Sequence, residues 1–237
     1  MTKTTFSDDL KSALQHGEYE LKGQFMLGSN YTFLVTVHHE GAEYLAVYKP
    51  SKGEQPLWDF PESTLALREV AAYLVSEALG FHFVPFTTHR KDGPHGPGSL
   101  QQYIEFDSEY HYFNFTEKDK QLLRPVVLFD LLVNNADRKG SHVFFQEATH
   151  KLWAIDHGIC FHETNKLRTV LWDFAGEQIP DDLLSLLLRT RDLPPLLEPY
   201  LESDEISALL NRAKNLLKTR TYPNPPRDRR AFPYPPI

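Results

Sequence analysis

Hydrophobic residues recur at helical spacing through residues 126–132, and this pattern ends at a polar, turn-prone stretch, residues 134–142. Two short apolar runs, Val143–Phe145 and residues 152–155, flank a polar turn and predict a β-hairpin. The second run ends at Asp156-His157-Gly158. The predicted order of elements is therefore a helix, a polar loop, a hairpin and an acidic loop.

The hydrophobic pattern changes along the chain. Most of the predicted strands lie before about residue 106, and most of the predicted helices lie beyond it. Strands are predicted at residues 19–25, 31–37, 44–49, 81–88 and 99–106, with a flexible loop at residues 90–98. Helices are predicted at residues 6–15, 65–79, 117–123, 126–132, 180–188 and 203–217.

A chain of 237 residues is long enough for one large core or for two small lobes with a cleft between them. We predict an α+β fold in a single bilobal domain, with a β-rich N-terminal lobe of about residues 1–105 and a helical C-terminal lobe of about residues 106–222. The tail, residues 223–237, is rich in proline and arginine. It is expected to be extended and either to bind a partner or to fold back on the body.

Charged residues stand at informative places in the first part of the chain. Lys49 ends a predicted strand, and Glu69 lies in the first half of the helix that follows. Thr64 is the predicted N-cap of this helix, and Gly80 is its predicted end. A lysine at such a strand end can pair with nucleotide phosphates when an acid of a neighbouring helix orients it.

The predicted hairpin brings the loop before its first strand and the loop after its second strand to the same end. Asp137, His142 and Asp156 are therefore expected to converge. Hard divalent cations such as magnesium take oxygen ligands, often one or two carboxylates together with phosphate groups. The pattern predicts a site for a metal ion and phosphate.

These motifs resemble those of the protein-kinase-like superfamily, and most of all those of the bacterial family related to phosphatidylinositol 3- and 4-kinases. Asp137-Arg138-Lys139-X-X-His142 is similar to the Asp-Arg-His-X-X-Asn of lipid kinases and to the Asp-X-Lys-X-X-Asn of protein kinases. Asp156-His157-Gly158 is similar to their Asp-Phe-Gly. One position departs from the pattern, because His142 replaces an asparagine that binds the second metal ion, and imidazole is a softer ligand than an amide oxygen.

The resemblance implies a bilobal, lipid-kinase-related fold and an ATP-dependent phosphotransferase that uses Mg²⁺ or Mn²⁺. Asp137 would orient the acceptor hydroxyl, and Lys139 would stabilise charge on the transferred group. Asp156 and His142 would be the metal ligands. The nucleotide-binding residues that the resemblance implies are Lys49, Glu69, Ser29, Asn30, Gln102 and Ile104.

Composition limits the compartment and the partners. The net charge of −7 argues against a general nucleic-acid binder. The single cysteine, Cys160, cannot form an internal disulfide, and no apolar stretch is long enough for a transmembrane segment or a signal peptide. We therefore expect a cytoplasmic protein.

Two other classes of function stay open. His142 would weaken a second metal site, so the protein would then be a catalytically inactive nucleotide-binding regulator. A metal-dependent hydrolase would use Asp137, His142, Asp156 and His157, and it would not need Lys49. The phosphoryl acceptor is not indicated by the motifs: a lipid headgroup, a protein and a metabolite are all compatible with them.

Overall fold

The structure is a computed structural model that describes residues 3–25 and 31–237. The helices are α1 (Lys3–His16), α2 (Leu65–Leu79), α3 (Glu117–Gln121), α4 (Arg124–Val133), α5 (Asp181–Leu187), α6 (Pro194–Leu197) and α7 (Ser203–Thr219). The strands are β1 (Glu18–Gln24), β2 (Phe33–His39), β3 (Ala42–Pro50), β4 (Thr87–Gly93), β5 (Gly96–Gln102), β6 (Val143–Phe145) and β7 (Leu152–Ala154). The class is α+β, as the hydrophobic pattern predicts.

Five antiparallel strands form one sheet in the order β1-β2-β3-β5-β4. The prediction of a strand at residues 81–88 followed by a flexible loop at 90–98 was wrong. Residues 87–93 and 96–102 instead form a hairpin, in which Gly96 has a φ of +98°. The pairing of β4 with β5 determines the structure of this region. It satisfies the backbone hydrogen-bonding groups of a polar, glycine-rich sequence that has little strand preference by itself.

Helix α2 packs on this sheet, and its start differs from the prediction. Thr64 makes no capping hydrogen bond with its side chain. The carboxylate of Glu54 instead accepts hydrogen bonds from the N–H groups of Leu65 (3.2 Å) and Ala66 (3.0 Å). This cap comes from a residue eleven positions upstream of Leu65, beyond the range of local capping patterns. Gly80 ends the helix with a φ of +90°, as predicted.

The remaining helices and the β6–β7 hairpin follow the sheet in the chain. Helices α4 and α7 pack on each other, and both carry buried side chains, among them Leu128, Leu132, Leu209 and Ala213. The predicted hairpin is present, with Val143 paired to Ala154. The division of the chain into two lobes at about residue 105 stays a prediction.

Buried apolar side chains of the described residues form a continuous cluster that reaches from the sheet into the helices. A smaller cluster consists of Ile104, Phe144 and Trp153, with Phe106 and Ile155 packed against it. It lies beside the hairpin that precedes the acidic loop. None of the helices described is both long and apolar enough to cross a membrane.

Candidate active site

A cleft with a cavity volume of about 410 Å³ lies where the sheet, α2 and the β6–β7 hairpin meet. This volume falls within the range of roughly 300–1,000 Å³ that is usual for small-molecule sites. Apolar side chains form part of its wall, namely Phe25, Tyr31, Val47, Ile104, Phe106, Phe144 and Ile155. Charged and polar side chains complete the lining, among them Lys49, Glu54, Glu69, Asp137, Lys139, His142 and Asp156. The cleft therefore combines an apolar surface with a group of charges.

Lys49, near the end of β3, joins two carboxylates. Its Nζ atom is 2.6 Å from Glu69 Oε1 and 2.8 Å from Asp156 Oδ1. Glu69 is only 3% exposed, and its other oxygen accepts a hydrogen bond of 3.1 Å from the N–H of His157. The predicted pairing of Lys49 with an acid of α2 is thus present, and Glu69 also holds the backbone of the acidic loop.

The charges of this group change each other's ionisation. Burial by itself would lower the pKa of Lys49, but Asp156 and Glu69 outweigh it and raise the pKa above its ordinary value. Burial would raise the pKa of Asp156, but Lys49 and the other cations nearby hold the pKa well below its usual range. Asp156 is therefore a carboxylate and Lys49 is an ammonium ion at neutral pH.

Asp156 lies where it can receive a ligand. Its side chain is 48% exposed, and its backbone has a φ of +64°, which non-glycine residues seldom adopt and which costs about 1 kcal/mol or more. Such strain is common at functional sites because the surrounding structure imposes it. Here the N–H of the next residue, His157, is fixed by Glu69.

His142 contacts the same carboxylate, with 3.1 Å between its Nε2 atom and Asp156 Oδ2. Burial lowers the pKa of His142 to about 4, so the imidazole is neutral at pH 7. Its Nδ1 atom accepts a long hydrogen bond of 3.5 Å from the N–H of Lys139. We therefore assign the proton to Nε2, which donates to Asp156. In this tautomer His142 orients Asp156 and offers no lone pair to a metal ion at Nε2.

Asp137 and Lys139 lie in the same cleft. Lys139 Nζ is 3.4 Å from Asp137 Oδ2, and the N–H of Asp137 donates to Asn135 Oδ1 at 2.9 Å. Burial raises the pKa of Asp137 to about 6; Lys139 opposes the rise and Asp156 adds to it. A carboxylate with such a pKa can accept a proton near neutral pH. Asp137, His142 and Asp156 therefore converge on one cleft, as the hairpin geometry predicts.

Arg138 connects the loop that carries Asp137 to its surroundings. It is fully buried and forms a two-bond pair with Asp130 of α4, at 2.8 and 2.9 Å. It also donates to the carbonyl oxygens of His142 (3.1 Å) and Ile155 (2.8 Å). The sequence identified Arg138 only as part of a motif. Its structural role was missed because it depends on which carbonyl groups the tertiary fold places around it.

His157 lies away from the cleft. Its ring is fully buried against Phe129, and its Nε2 atom accepts a hydrogen bond from Arg138 Nη2 at 2.8 Å. Burial lowers its pKa well below the ordinary value. This position removes His157 from the set of ligands that the hydrolase hypothesis needs.

Segment 161–180 lies beside the loop of Asp137 and has little regular structure. The N–H of Arg168 donates to the Asn135 carbonyl oxygen, and the N–H of Arg138 donates to the Arg168 carbonyl oxygen, each at 3.0 Å. The side chain of Asn134 donates to the carbonyl groups of His162 and Thr164. Backbone groups and asparagine side chains thus hold this segment against the loop.

The tail, residues 223–237, folds back on the body. The Ala231 carbonyl oxygen accepts a hydrogen bond from the N–H of Thr169 at 3.0 Å. The Pro236 carbonyl oxygen accepts one from the N–H of Gly140, next to Lys139, at 2.8 Å. Of the two expectations for the tail, folding back describes the structure.

A side chain also fixes the tail. Arg229 donates to the Leu167 carbonyl oxygen at 2.8 Å and to Asn165 Oδ1 at 2.9 Å. Its neighbour Arg230 is exposed and donates within the tail, to the Phe232 carbonyl oxygen. Segment 161–180 is therefore held on one side by the loop of Asp137 and on the other by the tail.

The other predicted site residues have different outcomes. Gln102 and Ile104 line the cleft, and Ile104 belongs to its apolar wall. Ser29 and Asn30 lie outside the described residues. Sequence reasoning missed Phe106 and Phe144, whose rings stack with 3.9 Å between centroids. Phe106 stands between two acids and Phe144 within a short apolar run, and neither pattern distinguishes a ligand-facing position from a core position.

The donor atoms of the cleft suit a metal ion that takes most of its ligands from phosphate and water. Within the part of the chain that is described, no three His, Cys, Asp or Glu side chains are grouped as a ready-made metal site. Magnesium commonly uses one or two carboxylates and takes its other ligands from phosphate groups and water. The half-exposed, ionised Asp156 fits that mode of binding.

The arrangement of sheet, helices and cleft is that of a protein-kinase-like fold. The crystal structure of a Helicobacter pylori proinflammatory kinase, CtkA, aligns with a TM-score of 0.56 at 14% sequence identity, covering 87% of this chain and 94% of the kinase. A chain of the Shewanella oneidensis MR-1 toxin–antitoxin complex of HipA, HipB and operator DNA aligns with a TM-score of 0.42 at 13% identity, over 84% of this chain and 65% of the other.

Sequence comparison gives the family. Protein Rv2133c of Mycobacterium tuberculosis H37Rv is 36% identical over an alignment of 271 residues, which covers 98% of this chain and 96% of the relative. The chain belongs to the same family as this mycobacterial protein. No family model matches the sequence.

Proposed function

We propose that the protein is an ATP-dependent phosphotransferase with its site in the cleft. The observation that carries this proposal is the contact of Lys49 with both Glu69 and Asp156, which lie 20 and 107 positions away in the sequence. Phosphoryl transfer needs a lysine for the nucleotide phosphates, an acid that holds this lysine, and an acid for the metal ion. These groups meet in one cleft that also has an apolar wall suited to a purine ring.

In the proposed site, Lys49 binds phosphate oxygens while Glu69 holds its ammonium group in place. Asp156 holds a magnesium or manganese ion, which supplies positive charge to neutralise the phosphate groups. His142 orients Asp156 through the hydrogen bond from Nε2. The predicted role of His142 as a second metal ligand would require the other tautomer, with the proton on Nδ1.

Asp137 and Lys139 serve the acceptor side. As the acceptor oxygen forms its bond to the γ-phosphorus and the bond to the ADP oxygen breaks, Asp137 takes the proton of the acceptor hydroxyl group. Lys139, 3.4 Å from Asp137, stabilises charge on the transferred group. The two residues keep the roles that the motif implies.

Calorimetric titration of ATP with magnesium, and then with manganese, tests the proposal. Wild-type protein should bind ATP only with a metal ion, and Lys49→Ala should weaken binding at least about tenfold, or roughly 1.4 kcal/mol. Lys52→Ala is the matched control, because Lys52 is an exposed lysine of the same part of the chain. Wild-type protein that shows no binding with either metal ion would refute the proposal.

A catalytically inactive nucleotide-binding regulator is the second candidate, and the hydrogen bond of His142 to Asp156 favours it. This bond uses a carboxylate oxygen that a second metal ion would otherwise share. The variant His142→Asn, which carries the residue of the kinase motif, separates the two functions. If the wild type transfers no phosphate and His142→Asn does, the protein is a catalytically inactive regulator. Phosphate transfer by the wild type would exclude this second candidate.

The acceptor stays open among a lipid headgroup, a protein and a metabolite. The closer relationship to phosphatidylinositol 3- and 4-kinases is also part of the proposal, and the motif Asp137-Arg138-Lys139 supports it. An acceptor screen with radiolabelled ATP should include phosphoinositide vesicles, the protein itself and small polyols. Phosphate transfer to phosphoinositides alone would support that closer relationship.

A further inference from the structure

Arg68 is a buried cation beside the nucleotide site that the proposed mechanism does not use. It lies on α2, directly before Glu69, and is 1% exposed. Nη1 donates to the carbonyl oxygen of Cys160 at 2.7 Å, and Nη2 pairs with Glu205 Oε1. The guanidinium group also lies over the ring of Phe60, with 4.9 Å to the centroid. Every part of this side chain is therefore engaged.

The partners of Arg68 belong to distant parts of the chain. Glu205 lies in the first turn of α7, 137 positions away, and its other oxygen accepts a hydrogen bond from the N–H of Glu202. Cys160 follows Asp156 by four positions. A single side chain of α2 is thus connected to the last helix and to the segment that carries the proposed metal ligand.

Adjacent residues of a helix point about 100° apart, because a turn contains about 3.6 residues. Arg68 therefore reaches α7 while Glu69 faces the cleft and contacts Lys49. Any movement of α2 that withdraws Glu69 from Lys49 also displaces Arg68. Breaking a buried ion pair leaves an unpaired charge in the interior, which is strongly unfavourable.

Close packing reinforces this connection. A Cβ atom at Gly158 would lie 3.3 Å from Leu65 Cβ and 3.6 Å from Glu69 Oε1. Helix α2 and the acidic loop are therefore in near contact, and a small shift of the helix changes the distances around Asp156.

We infer that Arg68 and Glu205 are positioning residues for the nucleotide site, which hold α2 so that Glu69 meets both Lys49 and the backbone of the acidic loop. The inference rests on the proposed function. It means that the lysine–acid pair is assembled by the chain itself, since the connection from α2 to α7 lies within one molecule.

The variant Arg68→Met tests this, with Arg212→Met as the matched control. Arg212 is an arginine of α7 that donates to the carbonyl oxygens of Leu132 and His162, and none of its hydrogen bonds in the described structure goes to α2. Burial lowers the pKa of Arg212, and the nearby Cys160 and Glu205 oppose this shift without a hydrogen bond to the guanidinium group. Both substitutions remove hydrogen bonds of a partly or fully buried guanidinium group. Each variant is measured for ATP affinity by calorimetry with magnesium, for amide hydrogen exchange of residues 65–79, and for thermal unfolding.

Arg68→Met should lower ATP affinity about tenfold and speed exchange in α2 about tenfold, which corresponds to about 1.4 kcal/mol. Arg212→Met should lower the melting temperature while both of the other quantities stay within about twofold of wild type. Equal effects of the two variants on ATP affinity and on α2 exchange would overturn the inference, because the role of Arg68 would then be general stability.

A double-mutant cycle with Glu205→Leu gives a second readout. If the pair acts as a unit, adding Glu205→Leu to Arg68→Met should change ATP affinity and α2 exchange by less than twofold further. Additive losses would contradict the pairing. Arg68→Lys keeps the charge without the forked donors and should restore part of the affinity.

The exchange measurement separates this inference from the proposed function. If the wild type binds no ATP, the proposed function fails, but faster exchange of α2 in Arg68→Met than in Arg212→Met would still show that Arg68 holds the helix. If ATP binds and α2 exchange is the same in both variants, only the inference about Arg68 fails.

Discussion

The two sides of the cleft are built in different ways. On the side that we propose binds the nucleotide, here called the nucleotide side, charged side chains from the sheet, α2 and the acidic loop contact each other directly, as in the contact of Lys49 with Glu69 and Asp156. On the acceptor side, Asp137 and Lys139 make one side-chain contact of 3.4 Å, and backbone hydrogen bonds position their loop against segment 161–180 and the tail. The geometry of the first side therefore depends mainly on which side chains are present. The geometry of the second side depends mainly on the course of the backbone.

This difference indicates where each side is sensitive to substitution. Removal of Lys49 leaves the buried carboxylate of Glu69 without its ammonium partner, so affinity and stability both suffer. The acceptor side has its own buried anchor, the Arg138–Asp130 pair. Its outer contacts combine the side chain of Asn134 with backbone hydrogen bonds, and a substitution of Asp137 or Lys139 leaves these contacts in place. Substitutions there should change turnover more than nucleotide affinity.

Asp156→Asn should have the largest effect. The substitution removes the carboxylate that we propose as the metal ligand and one partner of Lys49, so metal-dependent ATP affinity and phosphate transfer should both be lost, the latter by at least about 1,000-fold. Calorimetry and radiolabel transfer measure these quantities. Asp192→Asn, at an exposed aspartate, is the control. Transfer at more than a tenth of the wild-type rate would remove Asp156 from the nucleotide side.

Asp130→Asn tests whether the buried anchor of the acceptor side carries stability. It leaves the fully buried guanidinium group of Arg138 without a counter-charge, so the free energy of unfolding should fall by about 3 kcal/mol. Urea denaturation monitored by circular dichroism gives this value. A loss below about 1 kcal/mol would mean that the pair is dispensable and that the other contacts of the loop hold it in place.

Asp137→Asn should separate the two sides most sharply. Loss of the proton acceptor should lower turnover about 100-fold, while ATP affinity stays within about twofold. Initial rates and calorimetry on the same preparation measure the two effects. Equal losses of affinity and turnover would show that Asp137 belongs to the nucleotide side.

The pH dependence of phosphate transfer should follow the ionisation of Asp137. Burial raises the pKa of Asp137 to about 6, and only its carboxylate form accepts a proton. The rate should therefore be constant above about pH 7 and fall about tenfold per pH unit below pH 6. The residual activity of Asp137→Asn should not show this fall below pH 6. A wild-type rate that is unchanged down to pH 5 would contradict the assignment.

Arg229→Ala should have the smallest effect. It removes two hydrogen bonds between the tail and segment 161–180, which are worth about 1 kcal/mol together. Hydrogen exchange in residues 161–170 should become severalfold faster, and ATP affinity should not change. Arg230→Ala, at the exposed neighbour, should leave exchange as in the wild type. Identical exchange in both variants would show that the side chain of Arg229 does not fasten the segment.

Much of the fold was predictable, because local hydrophobic spacing decides where single elements form. The hairpin of β6 and β7, helix α4 and the end of α2 at Gly80 follow from patterns within a few residues. The hairpin of β4 and β5 was not predictable in this way. Its sequence is polar and rich in glycine, and pairing with the rest of the sheet decides its structure.

In the candidate site, too, some features follow from the sequence and others only from the tertiary structure. Residue identity and order along the chain determined the candidates Lys49, Glu69, Asp137 and Asp156, because each chemical role needs a particular side chain. The Glu54 cap of α2, the Arg68–Glu205 pair and the return of the tail to Gly140 were decided by the tertiary structure alone. Each joins residues too far apart in sequence for local spacing to relate them, and each forms because buried polar groups need partners wherever the fold supplies them.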